Sequence, residues 1–168
     1  MSGIMKLLAG FVAVALPWQA YAQQGVLTQK NVSLPLAQAI ATAALEKCES
    51  MSYKVSVVVI DREGQQVVML RGDGAGLHTP EGADRKAYTA RTYRSPSADF
   101  AKRVQTDPAY APAMQYTRVL ALGGGLPIKA GNDVIGAVGV SGAPGGDKDE
   151  ACAQAGVASI KQDLPSPR

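Results

Sequence analysis

KVSVVVIDREGQQVVMLR, Lys54 to Arg71, decides the fold. Lys54 to Asp61 is a β-branched run, Arg62-Glu63-Gly64 is a turn, and Gln65 to Arg71 is a second apolar-rich run. Valine and isoleucine carry two heavy atoms on Cβ, which costs them rotamer freedom in a helix and suits them to a pleated surface. Two such runs joined by three residues that include glycine make an antiparallel hairpin. The same grammar returns further on: Leu126 to Ala130, the turn Gly131-Asn132-Asp133, then Val134 to Ser141.

Outward from the hairpins the period changes to that of a helix. Ser33 is a suitable cap, Pro35 is tolerated in a first turn, and Leu36, Ile40, Ala44 and Cys48 recur every four residues, so a helix is expected to end near Ser50. Three glycines in Gly72-Asp73-Gly74-Ala75-Gly76 carry too much backbone entropy for a regular element, so this is a loop. A helix should follow, capped by Thr79 with Pro80 at its first position, and run through Ala90 and Tyr93. Ser95-Pro96 interrupts it before a shorter helix, Ser97 to Gln105. The last helix is expected from Asp147 to about Asp163, its acidic opening residues Asp147, Asp149 and Glu150 suiting the positive helix end. Two hairpins flanked by helices imply an α+β layer fold with an antiparallel sheet.

At 168 residues, 46% apolar and 18% charged, the chain has the composition of a single globular domain, not of a disordered or collagen-like one. Its 17 Lys+Arg against 14 Asp+Glu form no dense basic run, so no nucleic-acid partner is expected. Lys6, the ten apolar residues Leu7 to Leu16, and the triplet Ala20-Tyr21-Ala22 have the form of a cleavable secretory signal over residues 1–22, too short to span a bilayer comfortably. Residues 23–32 are polar and aperiodic and read as a flexible arm, residues 33–164 as the folded domain, and 165–168 as a tail. Export, with the bacterial periplasm as its destination, would put Cys48 and Cys152 in an oxidising compartment. Their spacing matches no redox or zinc motif, which leaves a disulfide and a pair of buried thiols as alternatives.

The segment LALGGGLPIKAGNDVIGAVGVSGAPGGDKDEACAQAG, Leu120 to Gly156, resembles the C-terminal signature of the GlcG/HbpS-like proteins, formerly a domain of unknown function. GDGAGLHTPEGADRKAYTA, Gly72 to Ala90, is similar to the middle motif of the exported, haem-binding members. The resemblance spans residues 34–162 and implies a sheet of about five strands flanked by helices, in a homo-oligomer. It also implies non-covalent binding of haem b for storage, transfer or redox sensing, other members being linked to small organic acids such as glycolate.

His78 is the one histidine in the chain. A single imidazole cannot build a multi-histidine metal site, yet it suffices as the axial ligand of haem iron. Gly74 and Gly76 let backbone approach a flat macrocycle, Thr79 opens the following helix, Arg85 and Lys86 are placed to meet propionates, and Tyr88 offers a ring edge. No C-x-x-C-H occurs, so the haem would be held without covalent attachment. Catalytic constellations are thin, since any triad would have to be built on His78, and Ser141 completes no nucleophile elbow. The chain is therefore expected to be a binding protein. Two alternatives stay open: an enzyme or accessory protein taking a small organic acid on Arg85, Lys86 or Arg91, and an oligomeric module with no ligand.

Overall fold

A computed structural model describes residues 25–161. The signal expected at residues 1–22 and the tail at 165–168 lie outside the described residues. The elements are α1 (Leu34–Ser50), β1 (Ser56–Asp61), β2 (Gln66–Arg71), α2 (Thr79–Tyr93), α3 (Ser97–Thr106), a 3₁₀ segment (Pro108–Gln115), β3 (Gly125–Ala130), β4 (Asp133–Ser141) and α4 (Gly146–Ser159).

The two hairpins meet through their long apolar strands. β1 pairs with β2 in one hairpin and β4 with β3 in the other; β1 and β4 then pair with each other, giving the antiparallel order β2-β1-β4-β3. β1 and β4 are buried almost throughout because both their faces are covered. Pro127 falls in β3, an edge strand, where its missing N–H removes no ladder bond. The described sheet has four strands, one fewer than the resemblance implied. The preceding stretch contributes a single ladder-like bond, Val32 N–H to the Ile135 carbonyl at 3.1 Å, with Asn31 tied to the β1–β2 turn at Arg62 and Glu63.

Alternate residues of β1 and β4 face opposite layers. Val57, Val59, Val138 and Val140 meet α1 and α4 in a core that includes Ile40, Ala44, Ala153 and Ile160. Ser33 caps α1 by accepting from Leu36 N–H, and the four-residue stripe through Ile40, Ala44 and Cys48 is the face it buries. Cys48 of α1 and Cys152 of α4 are joined by a disulfide, with Cα atoms 5.5 Å apart and 104 residues between them in sequence. Closing a loop of that length removes roughly 4–5 kcal/mol of unfolded-chain entropy on the loop-closure argument. Val58, Ile60 and Ala137 face the other way, against Ala83, Ala87 and Ala90 of α2. There the helix backbone lies directly on the strand: a Cβ on Gly139 would run into the Ala83 carbonyl and come within 2.7 Å of the Ala87 nitrogen.

α2 ends where the Ser95-Pro96 break requires it, with Arg94 in the left-handed region at φ 53°. α4 stops at Ser159, a few residues short of the expected end. Among the described residues no helix is long and apolar enough to cross a membrane.

Candidate functional site

The loop between β2 and α2 is built from hydrogen bonds, not left slack by its glycines. Gly72 N–H bonds the Val55 carbonyl at 2.9 Å, Ala75 N–H bonds the Gly72 carbonyl at 3.1 Å, and the Arg71 guanidinium donates to the Ala75 carbonyl at 2.6 Å. Gly74 holds φ +77°, with the Lys54 side chain so close that a Cβ there would stand 3.0 Å from Nζ. Thr79 is not the helix cap the sequence suggested; it is the first residue of α2 and buried, and His78 takes the cap position without capping any amide through its side chain. The Thr79 hydroxyl lies 2.8 Å from both the Gly76 carbonyl and Ser56 Oγ, which pins the loop to β1. A small hydroxyl buried between loop and strand does more here than it would at an exposed cap.

That frame presents His78 at the surface. Its imidazole lies over Gly76, where a Cβ would come within 2.9 Å of Cε1 and 3.2 Å of Nδ1. Leu77 beside it is 90% exposed, an isolated apolar side chain projecting from the same turn.

Lys86 is not available to a ligand. It is 1% exposed and its ammonium reaches past Gly124 to Asp149 Oδ2 at 2.6 Å and to the Val140 carbonyl at 3.1 Å. The physical reason was open to sequence reading, since Lys86 shares the stripe of Ala83, Ala87 and Ala90 that faces the sheet. Asp149 is correspondingly more than a dipole-complementing surface acid. It is buried in the first turn of α4, with Oδ1 accepting from Ala143 N–H at 2.9 Å. Burial pushes its carboxyl above the usual carboxylate range, against the opposing pull of the Lys86 hydrogen bond and charge.

Arg85 is committed as well. It donates to the Val119 carbonyl at 3.0 Å and pairs with Glu81 one turn back at 3.4 Å. Tyr88 turns toward a different region, with the Arg118 guanidinium 4.3 Å from its ring centre. Ten residues of helix separate it from His78, a rise of about 15 Å. The predicted site residues therefore divide: Gly74, Gly76, His78 and Thr79 form one constructed loop, while Arg85, Lys86 and Tyr88 serve other places along α2. Arg91 carries a buried Nε with no partner, and burial together with Arg62 and Arg94 lowers its pKa. Lys54 and Arg71, passed over in the sequence, are the cations that the fold brings to the loop, Arg71 bonded to Ala75 and Lys54 beside Gly74. Among the described residues no group of three or more His, Cys, Asp or Glu is arranged to hold a metal ion.

Three comparisons bear on this arrangement. The sequence model of the family described as "Haem degrading protein HbpS-like" matches residues 32–158. An uncharacterised 15.0 kDa protein from the dhaT–dhaS intergenic region of Citrobacter freundii is 34% identical over 115 residues, covering 67% of this chain and 80% of that protein. The crystal structure of HbpS superposes with a TM-score of 0.77 at 39% identity over 82% of this chain and 95% of HbpS. The crystal structure of a PduOC–haem complex does so with 0.73 at 25% identity over 82% and 99% of the two chains. Both hairpins, the constructed loop and all four α-helices but for the last residue of α4 lie within the matched span, and the chain belongs to the HbpS-like family.

Proposed function

We propose that this chain binds haem without covalent attachment, through His78 as an axial ligand of the iron, and that it does so after export. The observation that carries the reading is the exposed imidazole, seated on Gly76 by a rigid loop and free of any capping role. A ligand fixed in position before binding loses less entropy when the bond forms. The fit extends to the neighbours: Leu77 offers an apolar contact for a macrocycle face, and Lys54 replaces Arg85 and Lys86 as the cation for a propionate. Bound haem would supply a redox-active iron and an intense visible absorption. Support from outside the chain comes from its family and from the haem held by PduOC.

An imidazole on an open surface covers one face of the ring only. The homo-oligomer implied by the resemblance enters the reading here, as a second copy of this chain walling the other face. Storage, transfer, sensing and the degradation named in the family's description all begin with the same ligation step. Adding hemin to the purified protein should give a shifted Soret band, and His78→Ala should remove the shift while leaving the melting temperature unchanged. A variant spectrum identical to the parent's would overturn the assignment of His78.

The small-acid reading keeps a foothold in the unpartnered Nε atoms of Arg85 and Arg91, the former already holding Glu81 and Val119 through its other nitrogens. Calorimetry with glycolate, before and after Arg91→Gln, decides it: heat that disappears in the variant supports an acid site, and absence of heat from the parent ends the reading.

A further inference from the structure

The chain has few aromatic residues, and they are not spread through the core. Of the six within the described residues, Tyr53 stands apart and Tyr88, Tyr93, Phe100, Tyr110 and Tyr116 gather around the end of α2. Tyr93 stacks on buried Phe100 with ring centres 4.1 Å apart, and Tyr110 meets the far side of Phe100 edge-on at 6.4 Å. The buried sheet core is built chiefly from valine, isoleucine and alanine, with only Tyr53 and Tyr88 of the aromatics packed against its margins.

Between α2 and the segment 116–119 this cluster leaves a cleft of about 400 Å³, lined by Tyr88, Thr92, Tyr93, Tyr116, Thr117, Arg118 and Val119. Its walls are held in place. Phe100 stacks on Tyr93, and Arg118, itself a lining residue, packs on the Tyr88 ring. Arg118 is itself fixed by two bonds to the Asp84 carboxylate, at 3.1 and 2.7 Å, and one to the Gly64 carbonyl at 3.0 Å. The guanidinium is thus neutralised and leaves no free charge for an anion. Burial, with Tyr116 and Tyr110 nearby, raises the pKa of Tyr93, so its phenol remains a hydrogen-bond donor. What remains toward the cleft is aromatic surface with five hydroxyl-bearing side chains among its seven lining residues.

We propose that this cleft is a binding site for an uncharged planar heteroaromatic of two or three fused rings, stacked between tyrosines and hydrogen-bonded along its polar edge. The volume suits such a ring system and falls within the range of small-molecule pockets. Stacking supplies most of the attraction and the hydroxyls set orientation. A neutral ligand follows from the spent charge of Arg118. The site shares no residue with the His78 loop and needs no iron.

Riboflavin is the probe, because the emission of its ring is quenched when it stacks on tyrosine. Titration into the protein should give saturable quenching. Tyr116 is 66% exposed, so Tyr116→Ala removes one wall without disturbing the fold and should weaken binding roughly tenfold. Tyr116→Phe, which keeps the ring, should stay within about threefold of the parent. Tyr53→Ala and His78→Ala should leave the titration unchanged, the latter separating this site from the haem reading. Absence of saturable quenching by the parent, or an equal affinity in Tyr116→Ala at an unchanged melting temperature, would overturn the proposal.

Discussion

The two faces of the sheet are covered by opposite means. On one, branched valines of β1 and β4 interdigitate with α1 and α4, and a disulfide joins the two helices. On the other, α2 lies so close that alanine meets alanine and glycine, with Gly125 under the Lys86 carbonyl and Gly139 under that of Ala83. The first face is stabilised by volume, through apolar area removed from water. The second is stabilised by proximity, which leaves no room for a side chain at Gly125 or Gly139 but lets one lysine pass from α2 to α4. Both proposed sites lie on the thin face, because α2 carries the His78 loop at its start and the tyrosine cleft at its end. A helix held at fixed height by backbone contact positions both ends without large side chains to readjust.

The comparison breaks most sharply at adjacent positions of β4. Gly139→Val places a branched side chain where backbone of α2 already sits, an overpacking that no rotamer relieves. Its expected cost is about 4 kcal/mol or more, seen as loss of a cooperative melting transition. Val138→Ala, one residue away on the thick face, removes two methyl groups and should cost about 2 kcal/mol with cooperativity retained. If denaturant melts of the two variants were equal, the distinction between the faces would fail.

Lys86→Met tests the one strong electrostatic tie between layers. It leaves Asp149 buried without its cation, and the expected loss is about 3–4 kcal/mol. Adding Asp149→Leu to the same chain should recover part of it, since the uncompensated charge is gone while Ala143 N–H and the Val140 carbonyl still lack their side-chain partners. The pH dependence has a definite sign. A carboxyl whose folded pKa exceeds its unfolded value of ~3.9 contributes stability at low pH and loses it as pH rises through the folded value. Without Lys86 the pull that opposes burial is gone. The deficit of Lys86→Met should therefore shrink as pH is lowered toward 4 and grow toward 7. Urea melts at several pH values measure this; a deficit independent of pH would mean that Asp149 does not stay buried in the variant.

Sequence patterning made the thick face legible and the thin one only partly so. The β-branched runs of β1 and β4 and the four-residue stripe of α1 carry their period openly, because bulk is what they contribute. Closeness leaves a fainter trace. Gly139 reads only as one more residue of the strand Val134 to Ser141 until the helix above it is known, and Lys86, a charged residue on an alanine stripe, is read as facing outward to a ligand. Its partner Asp149 lies 63 residues further on, beyond the reach of any local pattern. The loop at His78 was visible as a glycine cluster and as a resemblance. Its rigidity was not, since that comes from Thr79 meeting Ser56 across 23 residues. The tyrosine cleft escaped for a similar reason: Tyr88 and Tyr93 lie on α2 but Tyr116 lies on the segment before β3, and only folding brings them together.

The smallest expected effect on stability bears most directly on the proposed haem site. Thr79→Val keeps shape and removes the hydroxyl that links the Gly76 carbonyl to Ser56 Oγ, leaving a buried serine hydroxyl without that partner. The cost should be about 1–2 kcal/mol, no more than that of Val138→Ala and below that of Lys86→Met. Its second consequence is local. With the anchor gone the turn from Gly76 to His78 gains freedom, and an imidazole that must be immobilised on binding takes iron less well. Hemin affinity should fall roughly three- to tenfold, while the riboflavin titration at the far end of α2 stays as it was. Ser56→Ala combined with Thr79→Val removes the orphaned hydroxyl and should restore melting temperature without restoring hemin affinity. Recovery of both would show that the loop's hold on His78 comes from elsewhere.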